Sequence, residues 1–236
     1  MRVNRRMISH AVRNIAVTLS TANASNRLEA TIAHSMVLPG WCSPEKASLI
    51  AELVCAERPK ICVEIGVFGG RSLVPCAAAL RENDEGGVIY GIETWSAAVA
   101  TEHVTNKEND EWWRNQNYAS IKAEFLKFLV DTDLVGWVRL IEAPSADAIG
   151  IFQSIDYLHI DGAHSIFNAA EDVVLYFKRL KPGGIIIMDD VNWESTAPAY
   201  EILKALCDPI ATVKDKETGL DACAILRKRS KETSAP

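Results

Sequence analysis

The chain has 236 residues, with 25 Lys and Arg against 31 Asp and Glu and a net charge of −6, a balance that argues against a nucleic-acid backbone as the main partner. This length fits one domain with a sizeable core plus some decoration, and no apolar run approaches the roughly 20 residues of a membrane span. The six cysteines, Cys42, Cys55, Cys62, Cys76, Cys207 and Cys223, form no C-x-x-C pair, which reads as a reduced, cytoplasmic protein.

The N-terminal stretch carries Arg2, Arg5, Arg6 and Arg13 with no acid before Glu29. Its apolar run, Ala11 to Leu19, is broken by Arg13 and Asn14, which argues against a signal peptide. Residues 1–40 read as an N-terminal arm or lid segment, placed over the site or over a neighbouring copy in a homo-oligomer. A transit-like segment and a frayed basic terminus are the alternatives. Next, Pro44 to Glu57 reads as a helix with Ser43 as N-cap, Pro44 at its first position and Ala47, Leu49, Ile50, Leu53 and Val54 at helical spacing. Ile61-Cys62-Val63 makes a buried strand, Ser72 to Arg81 a helix, and Val88 to Ile92 a second strand after the turn Asn83 to Gly87. Strands are expected at Val138 to Ile141, Tyr157 to Ile160 and Ile185 to Met188. Helices are expected near Tyr118 to Val130, Ala146 to Phe152 and Ile166 to Leu180. Ile210 to Lys214 and Ala222 to Arg227 flank a turn at Glu217-Thr218-Gly219 and read as an antiparallel hairpin. The alternation implies a parallel sheet wound by right-handed crossovers.

The first strand runs into Glu64-Ile65-Gly66-Val67-Phe68-Gly69-Gly70-Arg71-Ser72. In open α/β sheets, ligands bind outside the carboxyl ends of the strands, where glycines admit the backbone and the next helix offers its N-terminus. A dinucleotide fold wants G-x-G-x-x-G, but Phe68 fills the second glycine position and Glu64 precedes the first. A carboxylate there repels a pyrophosphate and suits a cationic ligand such as the amino group of S-adenosylmethionine.

Four segments together carry a family resemblance: Glu64 to Ser72, Ile89 to Trp95, Ile160-Asp161-Gly162-Ala163-His164-Ser165, and Leu180-Lys181-Pro182-Gly183-Gly184 running to Asp189-Asp190. From about Trp41 to Arg227 the chain resembles the class I S-adenosylmethionine-dependent methyltransferases. Within them it is similar to the small-molecule O-methyltransferases related to macrolide-sugar and cephalosporin-pathway enzymes. The resemblance implies a Rossmann-like, doubly wound α/β fold, with a mostly parallel seven-stranded sheet and one antiparallel strand. It implies a methyltransferase domain over 41–230 with a lid insertion at 96–117, where Trp112 and Trp113 could wall an acceptor pocket or pack an inserted helix on the core.

The resemblance also implies site roles. Gly66, Gly69, Gly70 and Ser72 belong to the cofactor turn, Glu64 to the cofactor amino group, Glu93 to the ribose hydroxyls through charge-assisted bonds, and Ser145 to the adenine, unless it only caps a helix. Asp161, Asp189 and Asp190 end adjacent strands about 5 Å apart, and three carboxylates without His or Cys suit Mg2+ or another divalent cation. A metal there would acidify a bound acceptor hydroxyl. His164, three residues after Asp161, is the candidate base. The related sugar enzymes have a second acid where Ala163 stands, so their base does not carry over. The function implied is divalent-metal-assisted O-methylation of a small hydroxylated metabolite, with Asp161 and His164 catalytic. A cofactor-binding subunit without transfer activity and an NAD(P)-dependent oxidoreductase are the competing classes.

Overall fold

The computed structural model describes residues 24–230, so the basic cluster Arg2, Arg5, Arg6 and Arg13 lies outside the described residues. In chain order the elements are a helix over 24–35 (α1), α2 (Pro44–Glu57), β1 (Ile61–Ile65), α3 (Leu73–Asn83), β2 (Val88–Ile92), α4 (Ala97–Ala100), α5 (Lys107–Arg114), α6 (Tyr118–Asp131) and β3 (Val138–Ile141). They continue with α7 (Ser145–Ala148), β4 (Ile155–Ile160), α8 (Ile166–Phe177), β5 (Leu180–Asp189), α9 (Ala197–Leu206), β6 (Cys207–Lys214) and β7 (Asp221–Lys228).

The seven strands lie in the order β3-β2-β1-β4-β5-β7-β6. All pairings through β5 are parallel, and β7 runs antiparallel to both β5 and β6. This is the class I methyltransferase sheet, with the final hairpin supplying the reversed strand as the resemblance implies. The order turns back at β1 and β4, whose carboxyl ends therefore open a crevice where a ligand can sit.

Strand alternation assigns each side chain to one of two helical layers. Cys62, Tyr157, Ile185 and Ile187 face the layer holding Ile50 and Val54 of α2, Leu73 of α3 and Phe125 of α6. Val63, Ile65, Leu158, Ile160, Ile186 and Met188 face α8 and α9 through Val173, Tyr176 and Leu203. By the same alternation Glu64, His159 and Asp189 belong to the α2 and α3 face. Glu64 pairs in register with His159.

Several boundaries differ from the sequence expectation. The helix expected from Ile166 to Leu180 stops at Phe177. Leu180 already belongs to β5, pairing with Ile155 before a register shift restores the ladder at Ile185 and Tyr157. The expected helix Ala146 to Phe152 is one α turn followed by a 3-10 turn over Ile149–Ile151. Helix α9 was not foreseen. Its signals are Pro198 in the first turn and the buried pair Ala199 and Leu203 at helical spacing. The segment 96–117 is not an irregular loop, because it folds into α4 and α5. Residues 24–40 are held against the domain: Arg71 donates to Gly40 O at 2.6 Å, and Ile32 and Leu38 join the core.

Candidate functional site

At the carboxyl ends of β1, β2 and β4 lies an open cleft. Its lining includes Gly66, Phe68, Glu93, Trp113, Tyr118, Ser145 and Asp161. Of the expected cofactor residues, Gly66, Glu93 and Ser145 therefore reach it.

Gly66 marks where two chain segments cross. Gly66 N donates to Ile92 O at 3.0 Å and Asp161 N donates to Ile65 O at 2.9 Å. A Cβ on Gly66 would stand 1.9 Å from Asp161 O, and its φ of +85° also favours glycine. A Cβ on Gly69 or Gly70 would strike Pro39 or the Phe125 ring.

Glu93 is fixed by three backbone donors. Its Oε2 accepts from Phe68 N at 2.9 Å, and its Oε1 accepts from Thr94 N and Trp95 N, each at 2.8 Å. The acid is pre-oriented on the rim of the cleft with acceptor capacity left on Oε2. Phe68 adopts φ 48°, a left-handed conformation in which an aromatic residue is an outlier. Its carbonyl accepts from Trp95 Nε1 at 2.9 Å, tying the glycine turn to the loop after β2. The Phe68 ring sits in an aromatic cluster, 5.8 Å from Trp41, 5.9 Å from Trp112 and 5.2 Å from Trp113.

Glu64 departs from its expected role. It is fully buried and faces away from the cleft, accepting from Ser72 Oγ at 2.8 Å and paired with His159 Nδ1 at 3.1 Å. Direct contact with a cofactor amino group does not match this placement. Glu64 and Ser72 instead brace the turn from below.

His159 Nε2 in turn lies 2.9 Å from Asp189 Oδ2, and the same oxygen accepts from Lys46 Nζ. The buried row thus reads Glu64, His159, Asp189, Lys46. Burial opposes every charge in it. For Asp189 the Lys46 ammonium and the His159 ring outweigh burial and hold the carboxyl well below the usual range. For Lys46, Asp189 and Asp161 outweigh burial and hold the ammonium well above its usual value. His159 is also raised, against burial and Lys46, by Glu64 and Asp189. Asp161 goes the other way: burial and the neighbouring Asp189 charge push its carboxyl well above the carboxylate range.

These charges bear on the expected metal set. Asp161, Asp189 and Asp190 do gather at the ends of β4 and β5, but Asp189 already serves an ammonium and an imidazole. A cation held by all three acids does not fit these residues. Among the described residues two smaller groups bring one donor atom each within 4.8 Å of one another, His159 with Asp161 and Asp189, and Asp161 with His164 and Asp190. His164 Nε2 lies 2.9 Å from Asp190 Oδ2 without hydrogen-bond alignment, and neither ring nitrogen finds a hydrogen bond elsewhere. The ring packs 4.8 Å from Trp193.

Sequence reasoning missed Lys46, His159 and Asp172. Asp172 stands on α8, is 3% exposed and lines the cleft beside Ser145, whose hydroxyl it accepts. Burial, with the Glu171 charge adding to it and the Ser145 hydrogen bond opposing it, moves its carboxyl up to about 7. The segment 96–117 supplies one wall through Val99, Ala100, Glu102 and Trp113, while Trp112 packs on Trp41 at 4.9 Å. All six cysteines are free thiols, and no helix among the described residues is long and apolar enough to cross a membrane.

A seven-stranded sheet with its one reversed strand, opening at a glycine turn and a fixed acid, defines the methyltransferase class of α/β fold. Residues 63–191 match the family model described as a methyltransferase domain, more than half of the chain, and the chain belongs to that family. Among solved structures it is similar to the O-methyltransferase TomG from Streptomyces achromogenes, involved in tomaymycin synthesis and in complex with SAM (18% identity, 86% of this chain and 90% of that one, TM-score 0.61). It is likewise similar to the O-methyltransferase from Bacillus cereus in complex with SAH (16% identity, 86% and 91%, TM-score 0.61). Cofactor-bound Rv0187 from MTB aligns over 97% of this chain and 99% of its own (16% identity, TM-score 0.59). Comparison with curated proteins finds no match.

Proposed function

We propose that the chain transfers the methyl group of S-adenosylmethionine to a hydroxyl of a small metabolite. The observation that carries this reading is Glu93, locked by three backbone donors at the rim of the cleft, one strand away from the Gly66 crossing that leaves no room for a side chain. The similarity to the TomG and Bacillus cereus structures, an O-methyltransferase with SAM and one with SAH, agrees with it.

On this reading Glu93 would accept from the ribose hydroxyls, Gly66 would admit the cofactor backbone, and Ser145 with Asp172 would face the adenine. The cofactor supplies an electrophilic methyl on a sulfonium, so the chain needs to align an acceptor and dispose of one proton. Alignment falls to the wall formed by Phe68 and Trp113. Proton removal falls to His164, whose cationic form the nearby Asp190 carboxylate would stabilise. Asp161 lines the cleft and would serve as a polar contact for the acceptor. Of the three acids expected to hold a metal, Asp189 is engaged by Lys46 and His159, and the scheme above uses this chain's own residues alone.

The test is calorimetric titration with S-adenosylmethionine, S-adenosylhomocysteine and NAD in parallel. Binding of the first two without NAD is expected. Binding of NAD alone would reject the proposal and return the oxidoreductase reading.

A further inference from the structure

We infer that Lys46 is a built-in counter-cation for the acids at the ends of β4 and β5, occupying the place against Asp189 that a divalent ion would take. The inference deepens the proposed methyl-transfer site and rests on that reading for its functional meaning. Its physical basis is independent of it.

Three observations converge. First, Lys46 is 6% exposed, and its ammonium is paired with Asp189, whose side chain is 10% exposed. A lysine is almost never buried unless paired, and a pair this deep is held in place by the cost of leaving either charge alone. Second, the ammonium is aimed there by secondary structure. Ser43 caps α2 by accepting from Lys46 N at 3.2 Å, and Lys46 shares the buried helix face with Ala47, Ile50 and Val54. The first turn of α2 is thus pinned to the sheet, and the side chain is directed at the β5 end. Third, Lys46 and His159 are the cations that act on the Asp189 carboxylate. The groups that face the ammonium are Asp189, Asp161, Cys223 and Cys42, and burial keeps both thiols protonated at neutral pH, Cys42 with its pKa pushed up to about 12.

The consequence concerns positioning. Lys46 and His159 share one Asp189 oxygen, and His159 hands the constraint on to Glu64, which holds Ser72 under the glycine turn. One buried chain of alternating charge therefore supports both the turn and the acid that lines the cleft, Asp161. Lys46 is a positioning residue in this scheme. It touches neither the cofactor nor the acceptor.

Mn2+ binding followed by electron paramagnetic resonance tests the assignment on the full-length protein, with S-adenosylmethionine calorimetry on the same samples. With Lys46 in place, Asp189→Asn is expected to leave Mn2+ affinity within about twofold of wild type, because Asp189 is not a ligand. Lys46→Ala uncovers the acid pair and is expected to bind Mn2+ at least about tenfold more tightly than wild type, a gain that the added Asp189→Asn change abolishes. Lys46→Arg, which keeps a cation there, should show no such gain. Tight Mn2+ binding by the wild type that is lost in Asp189→Asn would overturn the inference, as would a Lys46→Ala protein with the Mn2+ affinity of wild type. If Lys46→Ala does not fold, the comparison of wild type with Asp189→Asn still decides. Failure of S-adenosylmethionine to bind the wild type would sink the proposed cofactor instead, whatever the Mn2+ result.

Discussion

The hydroxyl of Ser145 donates to Asp172 Oδ1 at 2.5 Å, joining the first residue of α7 to a buried acid of α8 on the floor of the cleft. Tyr176, one turn further along α8, donates to Ser145 O at 2.7 Å, so the α7 turn is fastened to α8 by two hydrogen bonds. The sheet position expected for the adenine is therefore backed by an acid and a hydroxyl.

The first prediction concerns pH. The Asp172 carboxyl rises from 3.8 to about 7 on folding, so between these values the native chain holds a proton that the unfolded chain has lost. The unfolded state binds fewer protons there, and stability falls as pH rises through that window. Asp172→Asn keeps an acceptor for Ser145 and removes the titration. Its stability relative to wild type should therefore climb between about pH 4 and about pH 7, with a slope of at most about 1.4 kcal/mol per pH unit, and level off above that. A difference that stays flat across that range, measured by thermal melting, would show that Asp172 is ionised throughout.

Glu93→Ala should weaken S-adenosylmethionine binding at least about tenfold, since removing hydrogen bonds to a charged group costs roughly 1.5–3 kcal/mol. The same change strips the acceptor from Phe68 N, Thr94 N and Trp95 N, and so loosens the Phe68 turn. Calorimetry reads the affinity. Equal affinity in the variant and wild type would remove Glu93 from the cofactor site.

Gly66→Ala should destabilise the fold by more than about 2 kcal/mol, because a new Cβ meets backbone rather than a movable side chain and φ stays positive. The contact it would make, with Asp161 O, joins β1 to β4 at the mouth of the cleft. Gly86→Ala is the control. Gly86 also has positive φ but nothing within 4 Å of an added Cβ, so its cost is backbone strain alone. Denaturant unfolding compares them, and equal losses would refute the crowding argument.

The sheet and its cleft were legible because they rest on local signals. Apolar runs ending in Gly66 or in Glu93 mark strand ends without any knowledge of the partner strand. The buried charge row was not legible in the same way. His159 sits 95 residues from Glu64 and Lys46 sits 143 residues from Asp189, and only the strand order brings them together. A trace was present even so. Lys46 falls on the apolar face of its own helix, and His159 interrupts the apolar run Tyr157 to Ile160, two places where a polar group needs a partner. Three acids read without those partners suggest a metal; with them, the charges at Asp189 are already met. Helix α9 escaped notice for a different reason. Its buried face is only Ala199 and Leu203, too few apolar positions to show a period against the surrounding loop.

The last prediction concerns the proton. The His164 ring is mostly enclosed, its side chain 15% exposed, packed on Trp193 and 2.9 Å from Asp190 Oδ2, while Ala163 beside it lines the cleft. Asp190 would stabilise the ring once it takes a proton. If His164 is the base, His164→Ala should lower turnover by about 10²–10⁴-fold, with S-adenosylmethionine affinity nearly intact. Asp190→Asn should fall between wild type and His164→Ala, because it leaves the base in place and removes only its partner. The pH profile separates chemistry from support. Loss of an imidazole removes the acidic limb of kcat/KM, whereas a packing defect lowers the whole profile evenly. A His164→Ala enzyme with less than about threefold loss and an unchanged acidic limb would return the residue to a packing role against Trp193 and leave proton removal to water.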